Sequence, residues 1–594
     1  MNHYIFLAFI VVLFSCNNGT LNRYESNDTV IYHNHYDNIK YVGKDVCKTC
    51  HVEIYDSYMH TGMGKSFSIA NNIKSVIDEY NNPLIYDTIS DLYYQPLWIN
   101  DSLHILEFRL NNEDTVHKYL QKIDYIIGSG HHTNSHLYSI NGYLHQVPYT
   151  FYTQSEIADL PPGYESGNNT RFSREIGMEC ISCHNAYPSY VKNSTNKYVS
   201  MPQGIDCERC HGPGEVHVQE KMSGNIIDTS KYIDYSIVNP SKLSSELQFE
   251  ICKRCHLQGT TVLKNGVEWD DFLPGKKLSD YMETFVPRYQ NDESFIMASH
   301  VDRLQQSDCH KIGGVNCTSC HNPHKSVTDL EDNYFNKKCN SCHNLCEENE
   351  LNINCVSCHM PKSGSSDIPH VTITDHNISV HIEENNLEKG KFLGLYCVNN
   401  QDPTDLSKAK AYLKHFEAFN SNLLFLDSAI FFLERTDITI SFPYYIQYHY
   451  LKKDYKEIIK LHESFNVNEY LNIFTDEVKS FVYFRIAEAY DYYNFLDKSY
   501  NNYLLALNIS PENLDFLIKT AVIEIKMSNF EIAKNRLEYI IELNPNFEKA
   551  YYNLAMIYLN VENNIKKSNF YLERSIYLNP DYKIAKEMLN SDIY

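Results

Sequence analysis

Gly314-Val315-Asn316-Cys317-Thr318-Ser319-Cys320-His321-Asn322-Pro323-His324 contains the pattern that decides how this chain folds: two cysteines three apart, followed at once by histidine. The same pattern stands at Cys47, Cys50, His51; Cys180, Cys183, His184; Cys207, Cys210, His211; Cys252, Cys255, His256; Cys339, Cys342, His343; and Cys355, Cys358, His359. In c-type attachment the two thiols add to the vinyl groups of a haem while the adjacent histidine binds iron from one face, so spacing and order follow from one chemical act. The seven runs therefore predict seven covalently attached c-type haems, with their 14 cysteines as attachment points and their seven histidines as proximal iron ligands.

The plainer reading of a CxxC pair is a zinc knuckle or a disulfide. Histidine is 27 of 594 residues, so chance would put it after CxxC about once in 22, yet it follows every one of the seven pairs. A zinc ribbon also needs its second pair of ligands at a regular distance. Here the motifs start from 16 to 133 residues apart.

A chain of 594 residues has room for several domains. Its formal charge of -23, to which every haem propionate adds, argues against nucleic acid or an anionic surface as a partner held by charge. Residues 1–16 read as a lipoprotein-type signal peptide: Tyr4 to Phe14 is almost wholly apolar, too short for a stable span, and ends at Cys16. Cleavage there leaves Cys16 to carry a lipid anchor, which places the protein in a bacterial cell envelope, in the periplasm or at the outer membrane. Residues 17–40, rich in Asn, Asp and Thr, read as a flexible tether.

Beyond Cys397 there are no cysteines, and only His415, His449 and His462 of the histidines lie past residue 400. Residues 41–397 are therefore expected to form a heptahaem cytochrome domain, loop-rich and α+β, in which the haems take the place of much of the apolar core. The 133 residues between the first two motifs carry partial apolar alternation over 92–110 and an Asn141-Gly142 step between two aromatic runs, so a small antiparallel sheet is expected at about 84–152. From 404 to 594 the pattern is helical. Ala487, Ala521 and Ala555 recur at 34 residues, and Pro511, Pro545 and Pro580 at 34 and 35, which is the period of a tetratricopeptide solenoid. Residues 444–466 and 404–436 read as further helical pairs.

Iron with two protein ligands is closed, whereas iron with one is open to a substrate. Seven histidines serve proximally; another fourteen lie between residues 44 and 390, twice the demand for a second ligand. The distal candidates are His60, His131, His217, His300, His324, His370 and His376. His217 and His324 lie just behind motifs and can serve a neighbouring haem. His370 and His376 can reach back over the last cluster. One of His131, His132 and His136, after the Gly128-Ser129-Gly130 step, is expected to be a ligand. His104 and His117 read as structural. Cys309, Cys346 and Cys397 belong to no motif, and Cys309 with Cys346 is the simplest disulfide in an oxidising compartment.

The stretches CHGPGEVHV from Cys210, GVNCTSCHNPH from Gly314, CHMPK ending at Lys362 and PHVTITDH from Pro369 resemble multihaem c-type cytochromes related to the tetrahaem electron acceptor of hydroxylamine oxidoreductase. The resemblance covers roughly residues 41–390, with the repeat tail as a second match. It implies electron transfer through stacked, bis-histidine haems, and some relatives are oxidoreductases of small nitrogen or sulfur compounds. The resulting expectation is an electron carrier that meets a redox partner protein and docks a second protein on its repeats. The alternative is a multihaem oxidoreductase acting on a small nitrogen or sulfur compound at one five-coordinate haem. A third reading makes the solenoid an assembly scaffold.

Overall fold

The computed structural model describes residues 31–75, 77, 83–290, 296–343, 354–379 and 390–590. The signal segment, Cys16 and Cys346 lie outside the described residues. From residue 31 the stretch expected as a tether is docked: His33–His35 forms a 3-10 turn, Tyr32 and Asn34 are buried, and the Asn34 amide donates to the His211 carbonyl at 2.9 Å.

Two antiparallel sheets occupy the gap between the first and second motifs. β2 (Ile85–Asp87), β3 (Leu92–Ile99), β4 (Ser102–Asn111) and β5 (Asp114–Lys122) form a meander. A second sheet runs β1 (Phe67–Ile69), β6 (Tyr125–Ile127), β7 (Asn134–Ile140), β8 (Tyr143–Tyr152) and β10 (Arg174–Glu175), with β9 (Ile157–Asp159) also on β8. The Asn141-Gly142 step is the β7–β8 turn, with φ of 49° and 90°, the conformation a two-residue hairpin selects these residues for. The expected single sheet at 84–152 is thus two, reaching from 67 to 175. β1, β9 and β10 are two or three residues long and carry no alternation to betray them. In the first meander β4 buries alternate residues such as Leu103, Ile105 and Glu107, whereas β8 is buried along its whole length between two layers.

The segments that carry motifs are short helices with little core of their own. Lys44–Lys48, Cys317–Cys320, Tyr334–Asn340 and Cys355–His359 bury none of their residues. Others are better seated: Ile181 of Met178–His184 is fully buried with Phe67, Leu137 and Leu144, and in Ser245–His256 Phe249 packs with Leu257, Val301 and Leu304, and Lys253 and Glu250 pair at 2.6 Å.

From Asp405 the chain is helical in antiparallel pairs: 405–418 with 423–433, 438–451 with 455–464, 476–492 with 496–509, 514–526 with 530–543, and 548–560 with 565–578. Ala487, Ala521 and Ala555 are fully buried in the first helices of the last three pairs, and the prolines fall in the turns between pairs. Small residues let the two axes approach: the Ser499 hydroxyl donates to the Ala487 carbonyl at 2.9 Å. The upstream stretches expected as helical pairs are pairs.

The solenoid is not a detached tail. Its core is continuous with Val262, Phe285 and Leu395 of a three-stranded sheet formed by Thr260–Leu263, Met282–Tyr289 and Phe392–Cys397. Its inter-repeat turns lie against the other two sheets. Asn141 donates to the carbonyls of Glu542 and Leu543, Tyr143 to that of Glu512, and Arg171 to that of Leu578. Arg171 also grips Glu107, which is fully buried and accepts from His117 at 2.9 Å. His117, read as structural, holds that position.

Candidate haem sites

All 16 described cysteines are free thiols. Among the described residues no three His, Cys, Asp or Glu side chains converge on one point, whereas a closed zinc site needs four ligands. Thiols of different motifs meet instead: Cys47 with Cys207, Cys183 with Cys255, Cys252 with Cys317, and Cys339 with Cys355. Cys210 and Cys252, and Cys320 and Cys342, lie near enough to feel each other's charge. The attachment points thus run in space as motif one, three, four, five, six, seven, with motif two beside motif four.

The histidines report the same arrangement. Two imidazoles that share one metal ion at N–metal distances of about 2 Å have ring centroids about 6 Å apart. His51 and His217 are 6.4 Å apart with planes 20° from parallel, His211 and His324 6.1 Å and 12°, His321 and His376 6.3 Å and 30°. In each pair a proximal histidine faces one from another segment.

One ring nitrogen of His211, His217 and His376, and of the proximal His359, is tied down, which fixes the ring and leaves Nε2 for a metal. Nδ1 of His211 bonds the Val238 carbonyl at 2.9 Å, that of His217 the Ser236 hydroxyl at 2.9 Å, that of His359 the Ser379 carbonyl at 2.7 Å, and that of His376 the Thr374 carbonyl at 3.0 Å. Ser236 is held in turn by Asp234 at 2.6 Å. Burial pushes the His211 pKa down to about 4, and His324, His51 and His217 push it the same way. Burial lowers His217, His324, His321 and His376 as well. The lowered values favour the neutral imidazole, the form that binds a metal. The donor set fits c-type haem.

His300 lies 5.4 Å from His256 and 4.9 Å from His376, both edge-on. Burial takes its pKa down to about 2, helped by His256, His376, His132 and His321, and its Nδ1 has no hydrogen-bond partner. Five imidazoles therefore gather around motifs four and five. His132 was not separated from its neighbours by sequence. Only the fold, which brings the Gly128-Ser129-Gly130 loop against Thr372 through Gln154, puts it there.

Other candidates fall elsewhere. His60 is exposed at the end of the helix Val52–Met59. His131 lies over Gly62, where an added Cβ would sit 3.9 Å from its Cδ2. His370, in the left-handed region at φ 59°, gives Nε2 to Asp159 at 2.7 Å. Among the described residues His184 has no ring contact with another histidine, but its carbonyl accepts from Ser66 at 2.6 Å.

A family model described as cytochrome c554 and c-prime matches residues 154–212, the stretch with motifs two and three. Over 202 residues the chain is 26% identical to a protein named multiheme cytochrome MtrA from Shewanella baltica strain OS185, covering 31% of this chain and 57% of that protein. These likenesses support a multihaem cytochrome. The chain spans little more than half the length of this curated relative. Similar solved structures are the first TPR of Spaghetti (RPAP3) bound to an HSP90 peptide, at 19% identity over 19% of this chain and 87% of that one with TM-score 0.18. YrrB, a TPR protein with an unusual peptide-binding site, is 14% identical over 30% and 91% with TM-score 0.25. MamA of Desulfovibrio magneticus RS-1 is 14% identical over 26% and 82% with TM-score 0.23. No described helix is long and apolar enough to cross a membrane.

Proposed function

We propose that this protein is a heptahaem electron carrier of the cell envelope. The observation that carries this reading is the pairing of His51 with His217, His211 with His324 and His321 with His376 at the separation two imidazoles keep across one iron. Six-coordinate iron exchanges electrons without binding a substrate. The thiol contacts favour a line of haems from motif one through three, four, five and six to seven. His300 is the second ligand at motif four. The export signal and Cys16 give a lipid anchor, and the redox partner is a protein of the kind that feeds the tetrahaem cytochromes this chain resembles. The repeats dock a further protein on the surface that the sheets leave uncovered. The test is electron paramagnetic resonance of the oxidised protein with haem quantitation: seven low-spin haems are expected, and fewer haems than motifs would end this reading.

A second reading rests on motif two. Among the described residues its proximal His184 faces no imidazole, and it lies beside motif four, off the line the thiols trace. A haem there would be a place for a small nitrogen or sulfur compound to meet iron. A high-spin signal that nitrite or sulfite perturbs would favour this oxidoreductase.

A further inference from the structure

His217 and His211 lean on one short stretch of chain, Asp234 to Val238, in two different ways. Nδ1 of His211 meets the Val238 carbonyl at 2.9 Å, a neutral acceptor, as Nδ1 of His359 and of His376 do at Ser379 and Thr374. Nδ1 of His217 meets the Ser236 hydroxyl at 2.9 Å instead, and that hydroxyl lies 2.6 Å from Oδ1 of Asp234. Ser236 and Asp234 are both buried.

The hydrogens follow from these distances. Asp234 accepts from the Ser236 hydroxyl and amide at Oδ1, at 2.6 and 3.1 Å, and from the Lys221 ammonium at Oδ2, at 2.9 Å. Three donors on two oxygens call for an ionised carboxylate. The hydroxyl has one hydrogen and gives it to that carboxylate, so toward His217 it accepts, and Nδ1 carries the ring proton. Nε2 is left as the lone-pair nitrogen, the tautomer an iron ligand needs. Oδ2 of Asp234 also stands 3.4 Å from Nδ1 itself. A carboxylate behind a ligand histidine raises its basicity, which favours ferric over ferrous iron more than a peptide carbonyl does. Lys221, whose Nζ also donates to the Asn225 carbonyl at 3.0 Å, offsets part of that charge.

We propose that Asp234, acting through Ser236, is a positioning residue that fixes the tautomer of His217 and lowers the reduction potential of the haem that His217 shares with His51. The same stretch gives His211, at the next haem of the line, only a peptide dipole. The inference rests on the pairing of His51 with His217 across one iron.

The test is a redox titration of the full holoprotein followed by electron paramagnetic resonance. His217→Ala first marks the signal: the low-spin haem it turns high-spin is the one to follow. No such conversion would refute the pairing itself, and this inference with it. Asp234→Asn keeps an Oδ1 acceptor for the Ser236 hydroxyl and amide while removing the charge. It is expected to raise the midpoint of the marked haem by about tenfold in its reduction equilibrium, about 59 mV for one electron, at unchanged haem count and spin state. The g values of that signal are expected to move as well, because the ligand itself has changed; a charge acting on iron from a distance would leave them in place. Lys221→Gln, which removes the offsetting cation, is expected to shift the same midpoint down, whereas a residue that merely braced the loop would not give opposite signs. An unmoved midpoint or unmoved g values in Asp234→Asn, or a midpoint that fails to fall in Lys221→Gln, overturns the proposal. If Asp234→Asn does not yield holoprotein, Lys221→Gln decides: a fall in the marked midpoint supports the proposal, and no change or a rise rejects it.

Discussion

The helix Cys317–Cys320 buries none of its residues, whereas Leu514–Lys526 in the solenoid buries eight of 13. The solenoid supplies its own core: Leu517, Ala521, Ala550 and Leu554 form one cluster with residues from the neighbouring pairs. The motif segments hold their cysteines at the surface or half-buried, and on the proposed reading their cohesion comes from the flat apolar rings the thiols would carry. On that reading one half of the molecule folds on side chains, and much of the other on its cofactors.

The largest break in that comparison is removal of the haems. Chain made without haem attachment should lose residues 300–379 to limited proteolysis while a helical fragment beginning near Asp405 survives. Equal resistance of both regions would show that the motif segments need no cofactor. Within the solenoid, Leu554→Ala, at a fully buried position, should cost about 2–5 kcal/mol in denaturant unfolding and leave the haem spectrum unaltered.

The join between the two halves is sensitive to Glu107. Burial by itself would raise its pKa, but Arg171 and His117 outweigh burial and hold the carboxyl below its ordinary value. Such a group adds stability above its unfolded pKa and loses it as pH falls through the lower folded value. The contact should therefore weaken only below the usual glutamate range, seen as a drop in melting temperature on acidification. Glu107→Ala leaves Arg171 buried and unpaired and should cost about 3–5 kcal/mol. A spectroscopic change with little loss of stability is expected from His217→Ala or His324→Ala, each turning one haem in seven from low-spin to high-spin. The smallest effect belongs to Lys414→Ala, which frees Glu179 across the join at an exposed pair 2.7 Å long: below about 1 kcal/mol, and smaller still in salt.

The two halves also differ in how far sequence reveals them. A 34-residue period in alanine and proline locates the helix pairs because each repeat meets the same packing constraint. The motifs locate the proximal ligands because attachment chemistry fixes residues that are adjacent in the chain. Distal ligands obey no such local rule. His217 and His324 were suggested by their nearness to motifs, but the partner of each is chosen by tertiary contact: His324 faces His211, 113 residues upstream.

The turns between repeats bond to strand residues through main-chain carbonyls, at Glu512, Glu542, Leu543 and Leu578. On the proposed reading, a visitor docked on the repeats would consequently be held at a set distance and bearing from the haem-bearing segments. The repeats would then act as a jig, aligning the visitor with the conductor rather than hanging from it on a leash.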